Sequence, residues 1–526
     1  MSAKRKAQGA RPQSGMTPDD DAQVRASMSR REFGRIMGVA ALGTAVPAID
    51  AVKNDHGSQS NELCFMPATE LAVRLRRKDV SAREVLAAHL AQIERVNPRV
   101  NAIVTLVPER AQADAARADE AIARGRPLGP LHGLPIAHKD LVDTAGIRTV
   151  RGSPFYRDNV PTRDAAIIQR LRAAGVVTLG KTNTPEFGAG SQTFNTIFGA
   201  TKNPYDTART CGGSSGGAAV SLATGMIPIA DGSDTGGSLR NPAAFCNVVG
   251  FRPSPGRVQT DSTSWNPLSV SGPMGRSVGD VALLLSAIAG GELSTPLAIT
   301  EDGARFAAPL GRDFRGVRVA WWRGLGGIPF EPEVANVVNA TRAVFERLGC
   351  IVEDAEPDFE GVDEAFATLR HLSYHSNYAA LARQRSEWIK DTIHWEIREA
   401  ERQTGADVAR ALARQARCYA DSRQFFERYE YFILPVTQVM PFDVNTPYPT
   451  SVAGTPMTNY IDWMRSCWYV TFMANPAISV PAGFSAAGLP VGLQIVGRHR
   501  ADWSVLQFAH AFEAATQHAR RRPPGV

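Results

Sequence analysis

The sequence has little of what builds metal centres or covalent cross-links. Its 526 residues include only six cysteines and ten histidines. Cys64, Cys211, Cys246, Cys350, Cys418 and Cys467 lie scattered, with no CxxC pair and no Cys/His spacing suited to zinc. No HxxxH pair encloses a helical glutamate. Thiols so dispersed do not form the dense disulfide framework of a small secreted domain, so free and mostly buried cysteines are expected. No segment reaches the roughly 20 apolar residues that span a bilayer. An internal repeat is lacking, as are a P-loop with its Lys-Ser/Thr ending and an evident Gly-x-Ser-x-Gly elbow. These absences argue against zinc enzymes, nucleotide-binding P-loop proteins and integral membrane proteins.

Charge of one sign is also scarce outside the first segment. The chain has 58 Lys/Arg against 52 Asp/Glu, a net +6. Through Ala48 stand eight basic residues and four acidic ones, so four of the six net charges belong to this leader. The remainder is close to balanced, which gives no case for nucleic-acid binding. The run Arg520–Arg522 reads as a solvated tail. Within the leader, Ser29-Arg30-Arg31-Glu32-Phe33 precedes a mildly apolar stretch from Ile36 to Ile49. That order resembles a twin-arginine export signal, with Val46-Pro47-Ala48 offering small residues for cleavage. The expected organisation is a leader over 1–51, a linker over 52–66, a catalytic domain over 67–520 and a tail over 521–526. Export to the periplasm follows if the leader is a signal, and a cytoplasmic location if it is not.

The body alternates amphipathic helices with short apolar strands. Ser81 followed by Glu84 is a capping box, and Val85, Leu86, His89, Leu90 and Ile93 recur at helical spacing. A second helix is expected over 111–124. Strands are expected over 134–137, 176–179, 317–321, 351–352, 477–481 and 492–496, with a helix over 334–348 completing a β-α-β unit. Residues 363–431 read as helical, 435–460 as a Pro/Thr/Asn-rich loop and 505–515 as a final helix. One α/β body accounts for this pattern.

Three segments carry the chemistry. In Gly133-Leu134-Pro135-Ile136-Ala137-His138-Lys139-Asp140 a lysine directly follows an apolar strand. Cys211-Gly212-Gly213-Ser214-Ser215-Gly216-Gly217 leads into a small-residue helix. In Asp231-Gly232-Ser233-Asp234-Thr235-Gly236-Gly237-Ser238-Leu239-Arg240 two glycines before a serine permit unusual backbone angles. Such a turn can aim several N–H groups at one point, as an oxyanion hole requires. Singly, each segment reads equally well as a surface lysine, a flexible turn or a capped turn.

Together, in this order and spacing, they resemble the amidase signature family. Gly180-Lys181-Thr182-Asn183-Thr184-Pro185-Glu186, Gly250-Phe251-Arg252-Pro253-Ser254 and Gly488-Leu489-Pro490-Val491-Gly492-Leu493-Gln494 match as well. The resemblance runs from about residue 67 to 515. It implies a single three-layer α/β/α domain around a large mixed, twisted β-sheet. It also implies Ser238 as acylating nucleophile, Ser214 as bridging serine after a cis peptide bond, and Lys139 as base. Backbone N–H groups of Thr235, Gly236, Gly237 and Ser238 would form the oxyanion hole. Ser215, Asp234 and Arg240 would either orient the loops or serve packing alone.

Such a lysine must be neutral to act. With an ordinary pKa near 10.4, about one molecule in a few thousand carries a neutral amine at pH 7, a deficit of roughly 4–5 kcal/mol. Burial in a dry pocket supplies a shift of that order. No metal or organic cofactor is required by this chemistry. A Ser-His reading through His138 or His132 ranks lower, since neither is paired in sequence with an evident carboxylate and elbow. Cys211 and Cys246 lack an activating partner.

The implied activity is hydrolysis of a carboxamide, with a small linear amide as substrate, no nucleic acid, no stable membrane span, and a homodimer left open. Tyr374, Tyr378, Trp388, Trp395, Trp463, Trp468, Tyr469 and Phe472 are candidates for an apolar substrate pocket, although core packing accounts for most of them. Alternatives are a cyclic or oligomeric amide hydrolase of the nylon-oligomer type, a partner-dependent amidotransferase A-type subunit, and a catalytically silent binding protein.

Overall fold

In the central sheet, successive residues along the middle strands enter different cores. Tyr431 and Ile433 pack into one cluster, Phe432 and Leu434 into another. Ile478 and Ala477, and Ile495 and Val496, divide in the same way. Alternation of this kind means that the sheet is covered on both faces. The computed structural model describes residues 62–261, 265–291 and 295–526. The leader over 1–51 and the linker as far as residue 61 lie outside the described residues.

Eleven strands form the sheet: β1 (Ile103–Leu106), β2 (Pro135–Lys139), β3 (Val177–Thr182), β4 (Ile229–Asp234), β5 (Val249–Arg252), β6 (Val270–Gly275), β7 (Arg318–Trp321), β8 (Ile351–Asp354), β9 (Tyr431–Pro435), β10 (Ala477–Phe484) and β11 (Pro490–Gly497). Their order is β1-β3-β2-β4-β6-β5-β10-β11-β9-β7-β8. Pairing is mixed. β2 runs parallel to β3 and β4, while β4 runs antiparallel to β6. The α/β class and mixed sheet are as expected.

Helices supply the outer layers. The capping box at Ser81 and Glu84 forms, and starts α1 (Ala82–Val100). The first Gly/Ser turn leads into α2 (Gly216–Ala223), whose eight residues are all buried. A helix buried on every side has no polar face to show, and this one has none. α3 (Arg240–Cys246) follows the second Gly/Ser turn and is also wholly buried. On one face, α7 (Asp502–Thr516) sends Val505 and Phe508 into the same core as Ile433. On the other, α4 (Val362–Gln384), α5 (Gly405–Arg428) and α6 (Arg465–Phe472) pack with Phe432.

Two expectations need correction. Residues 334–348 form two helices, Pro332–Asn339 and Arg342–Arg347, because the Thr341 hydroxyl bonds back to the Val338 carbonyl and the chain turns there. The helical reading of 363–431 ends too late, since Tyr431 opens the buried strand β9. The Arg520–Arg522 run is exposed, as expected, with Arg521 4.0 Å over the Phe484 ring and Arg522 4.0 Å over Phe65. All six cysteines are free and buried.

Candidate active site

Lys139 ends β2, and Asp234 ends the neighbouring parallel strand β4. Both loops therefore leave the sheet at the same edge, where parallel α/β sheets place their sites. The third contribution is the turn before α2. The Ser191 hydroxyl donates to the Gly213 carbonyl at 2.6 Å, and the Thr193 hydroxyl donates to that of Gly212 at 2.8 Å. The Ser215 N–H donates to the Ser238 carbonyl at 3.2 Å, which ties the two serine-bearing turns together. The peptide bond between Gly213 and Ser214 is cis.

The lysine is wholly buried. Its Nζ lies 2.7 Å from Ser214 Oγ, 2.9 Å from Ser215 Oγ and 3.1 Å from Ser233 Oγ. Burial lowers its pKa from the usual 10.5 to about 7, against the opposing pull of Asp234 and Asp231. Hydroxyls surround the amine, and no carboxylate touches it, so nothing beside it fixes the ammonium form. Ser214 and Ser238 both line one cleft of about 780 Å³. The Ser238 hydroxyl makes no hydrogen bond among the described residues.

The nucleophile turn is braced from beneath. Arg240 forms a fork on Asp234, with Nη2 to Oδ1 at 2.9 Å and Nε to Oδ2 at 3.0 Å. Arg252 adds Nη1 to the Asp234 carbonyl at 2.7 Å. Burial pushes the Asp234 carboxyl up, but Arg240 and Arg252 outweigh it and hold it far below the usual range. Arg240 also reaches Gln494 Oε1 at 3.0 Å and the Cys467 carbonyl at 3.0 Å, anchoring the turn to β11 and α6.

Asp234 also corrects the expected oxyanion hole. Its Oδ1 accepts from the Gly237 N–H at 3.0 Å, so that donor is engaged. Thr235, Gly236 and Ser238 keep backbone N–H groups with no partner among the described residues. Gly237 serves conformation instead. Its φ is +107°, and a Cβ there would stand 2.6 Å from Cys467 Cβ.

Sequence reasoning overlooked three contributors. Asp231 accepts the Lys139 backbone N–H at 2.9 Å and pairs with His138 Nδ1 at 2.5 Å. His138 thus does have a carboxylate, but its Nε2 faces Thr178 at 3.1 Å and it bonds to none of the serines. The His132 ring bonds the Ala118 carbonyl through Nε2, at 3.0 Å. Ser233 and Arg252 stood inside the motifs already singled out, yet spacing alone assigns them no partner. Of the eight candidate aromatic residues, Tyr374 and Tyr378 line the cleft. Trp463, Trp468, Tyr469 and Phe472 are core. Among the described residues no group of three or more His, Cys, Asp or Glu is arranged to hold a metal ion. No described helix is long and apolar enough to cross a membrane.

An α/β enzyme acting on amides is the class that this sheet and this lysine–serine cluster define. The chain belongs to the amidase signature family: the amidase family model matches residues 84–506. An acylamidase from Rhodococcus erythropolis is 37% identical over 467 residues, covering 88% of this chain and 98% of that protein. The A-type subunit of the glutamyl-tRNA(Gln) amidotransferase from Moorella thermoacetica is 37% identical over 486 residues, covering 88% of this chain and 99% of its own. Among solved structures, a bacterial aryl acylamidase of the same family superposes with a TM-score of 0.81 at 28% identity, covering 86% of this chain and 98% of that one.

Proposed function

We propose that the protein hydrolyses a linear carboxamide to a carboxylate and ammonia or an amine through an acyl-Ser238 intermediate. The observation that carries this reading is the buried Lys139 amine, with a pKa near 7, 2.7 Å from Ser214 Oγ. In its neutral form Lys139 takes the Ser214 proton while Ser214 takes that of Ser238. Ser238 Oγ then bonds to the carbonyl carbon, and the oxygen's charge is met by the N–H groups of Thr235, Gly236 and Ser238. As the C–N bond breaks, the relay returns the proton to the leaving nitrogen. Water, deprotonated by the same relay, releases the carboxylate and restores Ser238. Because the Ser238 hydroxyl has no hydrogen bond among the described residues, its contact with Ser214 is the one that substrate binding has to close.

The likeness to the Moorella thermoacetica amidotransferase favours a second reading, a partner-dependent glutaminase. A panel of aliphatic, aryl and cyclic amides together with glutamine separates the two. The purified chain is expected to release amine or ammonia from simple amides unaided. Ser238→Ala and Lys139→Ala should each reduce kcat/KM by more than about 10³-fold. Activity surviving either change defeats the relay. Activity confined to glutamine in the presence of a partner supports the second reading.

For location, we propose export by the twin-arginine route, supported by Ser29-Arg30-Arg31-Glu32-Phe33 before the apolar stretch. Residues 1–51 fused to a reporter should carry it to the periplasm, and Arg30→Lys with Arg31→Lys should abolish this. A reporter that stays in the cytoplasm refutes the route.

A further inference from the structure

Among the described residues, the cleft that holds Ser214 and Ser238 is nearly devoid of charge. Among the described residues that line it, Arg370 is the one Lys, Arg, His, Asp or Glu. Its charge is already compensated inside the wall. Arg370 Nε donates to Glu396 Oε1 at 2.6 Å, and Nη2 donates to Tyr460 OH at 2.6 Å and Tyr374 OH at 3.0 Å. Glu396 is in turn bonded by His371 Nδ1 at 2.5 Å. Arg370 is 5% exposed, so it belongs to a closed network and offers little to a ligand. Lys139 is wholly buried behind the serines. A substrate bearing a carboxylate or an ammonium would have to leave it uncompensated here.

The same cleft gathers exposed apolar surface. Nine large hydrophobic side chains stand exposed among the described residues, and three of them line this cleft: Trp265 at 76%, Leu412 at 52% and Leu372 at 40%. They come from separate parts of the chain: the segment before β6, α5 and α4. Deeper lining residues include Phe187, Leu369, Tyr378 and Met464, with Phe187 and Tyr378 stacked at 4.5 Å. Scattered apolar residues need no explanation, but their convergence on one cleft continuous with the serines marks a ligand surface.

We infer that the cleft takes an uncharged amide whose apolar chain or aryl group extends from the serines to the rim formed by Trp265, Leu372 and Leu412. This deepens the hydrolytic reading above and rests on it. The scissile carbonyl sits at Ser238, and water is displaced from the apolar walls by the substrate's hydrocarbon.

Two substrate series test it: p-nitroanilides of acetate, butyrate, hexanoate and octanoate, and acetamides of propyl- to octylamine, all below their aggregation concentrations. In at least one series kcat/KM should rise by about two- to fourfold per methylene, as burial of each CH₂ predicts. The Leu372→Ser/Leu412→Ser double variant should lower the octanoyl-to-acetyl ratio, or its amine-side equivalent, at least about fivefold. Glutamine should be used at least about 100-fold less well than pentanamide, its uncharged analogue. Flat series on both sides, a ratio untouched by the double variant, or glutamine equal to pentanamide each overturns the inference. Inactivity of the wild type on every amide, the shortest included, overturns the hydrolytic reading and the inference with it.

Discussion

Lys139 is where physical chemistry constrains this protein most tightly. A fully buried amine with its pKa near 7 is half neutral at neutral pH, whereas a solvated lysine would be almost wholly charged. If its neutral form is the base, kcat/KM should fall about tenfold per pH unit below roughly 7 and level off above. A profile flat to pH 5 would exclude Lys139 as base. The same shift has a sign for stability. The unfolded lysine keeps its proton up to about 10.5, so between about 7 and 10.5 the unfolded chain binds more protons and stability rises with pH. Below about 7 the full penalty applies, on the order of 4–5 kcal/mol. Lys139→Met should therefore gain roughly 2–3 kcal/mol more, relative to wild type, at pH 6 than at pH 9. Urea unfolding at the two pH values checks this. The identity of this lysine was legible in the motif, but its environment was not. The three hydroxyls at its amine come from the turn before α2 and from β4, both far from β2 in the chain, and no local pattern reports such a meeting.

At the scale of elements, the nucleophile turn is held by ionic bonds rather than by its own propensity. Asp234 is shared by two buried guanidinium groups and two backbone N–H groups. Asp234→Ala leaves both arginines without their counter-charge and should cost about 3–5 kcal/mol, read as a fall in the urea midpoint. An effect below about 1 kcal/mol would mean that the arginines are compensated elsewhere. The α1 cap lies far from this chemistry. Ser81→Ala removes one side of the capping box and should lower stability by about 1 kcal/mol with kcat unchanged. The box was readable because capping is a local bargain between residues three apart. The break at Ala340–Thr341 was not, because Thr341 satisfies periodic spacing while its hydroxyl competes for the Val338 carbonyl. Likewise Gly237 was rightly seen as a turn residue, yet its N–H points to Asp234, a detail set by the fork beneath.

The whole molecule is legible in class more than in wiring. Alternating strands and helices announce an α/β body, and the family resemblance that the motifs carry implies a mixed sheet. The strand order, however, joins β1 to β3 and β10 to β5 across long stretches of chain. Such pairings are fixed by burial on both faces, which single-segment patterns do not encode. Tyr431-Phe432-Ile433-Leu434 shows the difficulty: a short apolar run directly after a helix fits either a last turn or a buried strand. The cleft itself arises only at this scale, since its walls come from α4, α5, Met464 just before α6 and the segments around the sheet's edge. Identifying the nucleophile is the most direct test of what all three scales converge on. The protein should be treated with a fluorophosphonate at pH 6 and pH 8 and the labelled peptide mapped by mass spectrometry. A single adduct on Ser238, forming several-fold faster at pH 8 and absent in Lys139→Ala, is the predicted result. An adduct on another residue, or labelling of Ser238 indifferent to both pH and Lys139, would contradict the account.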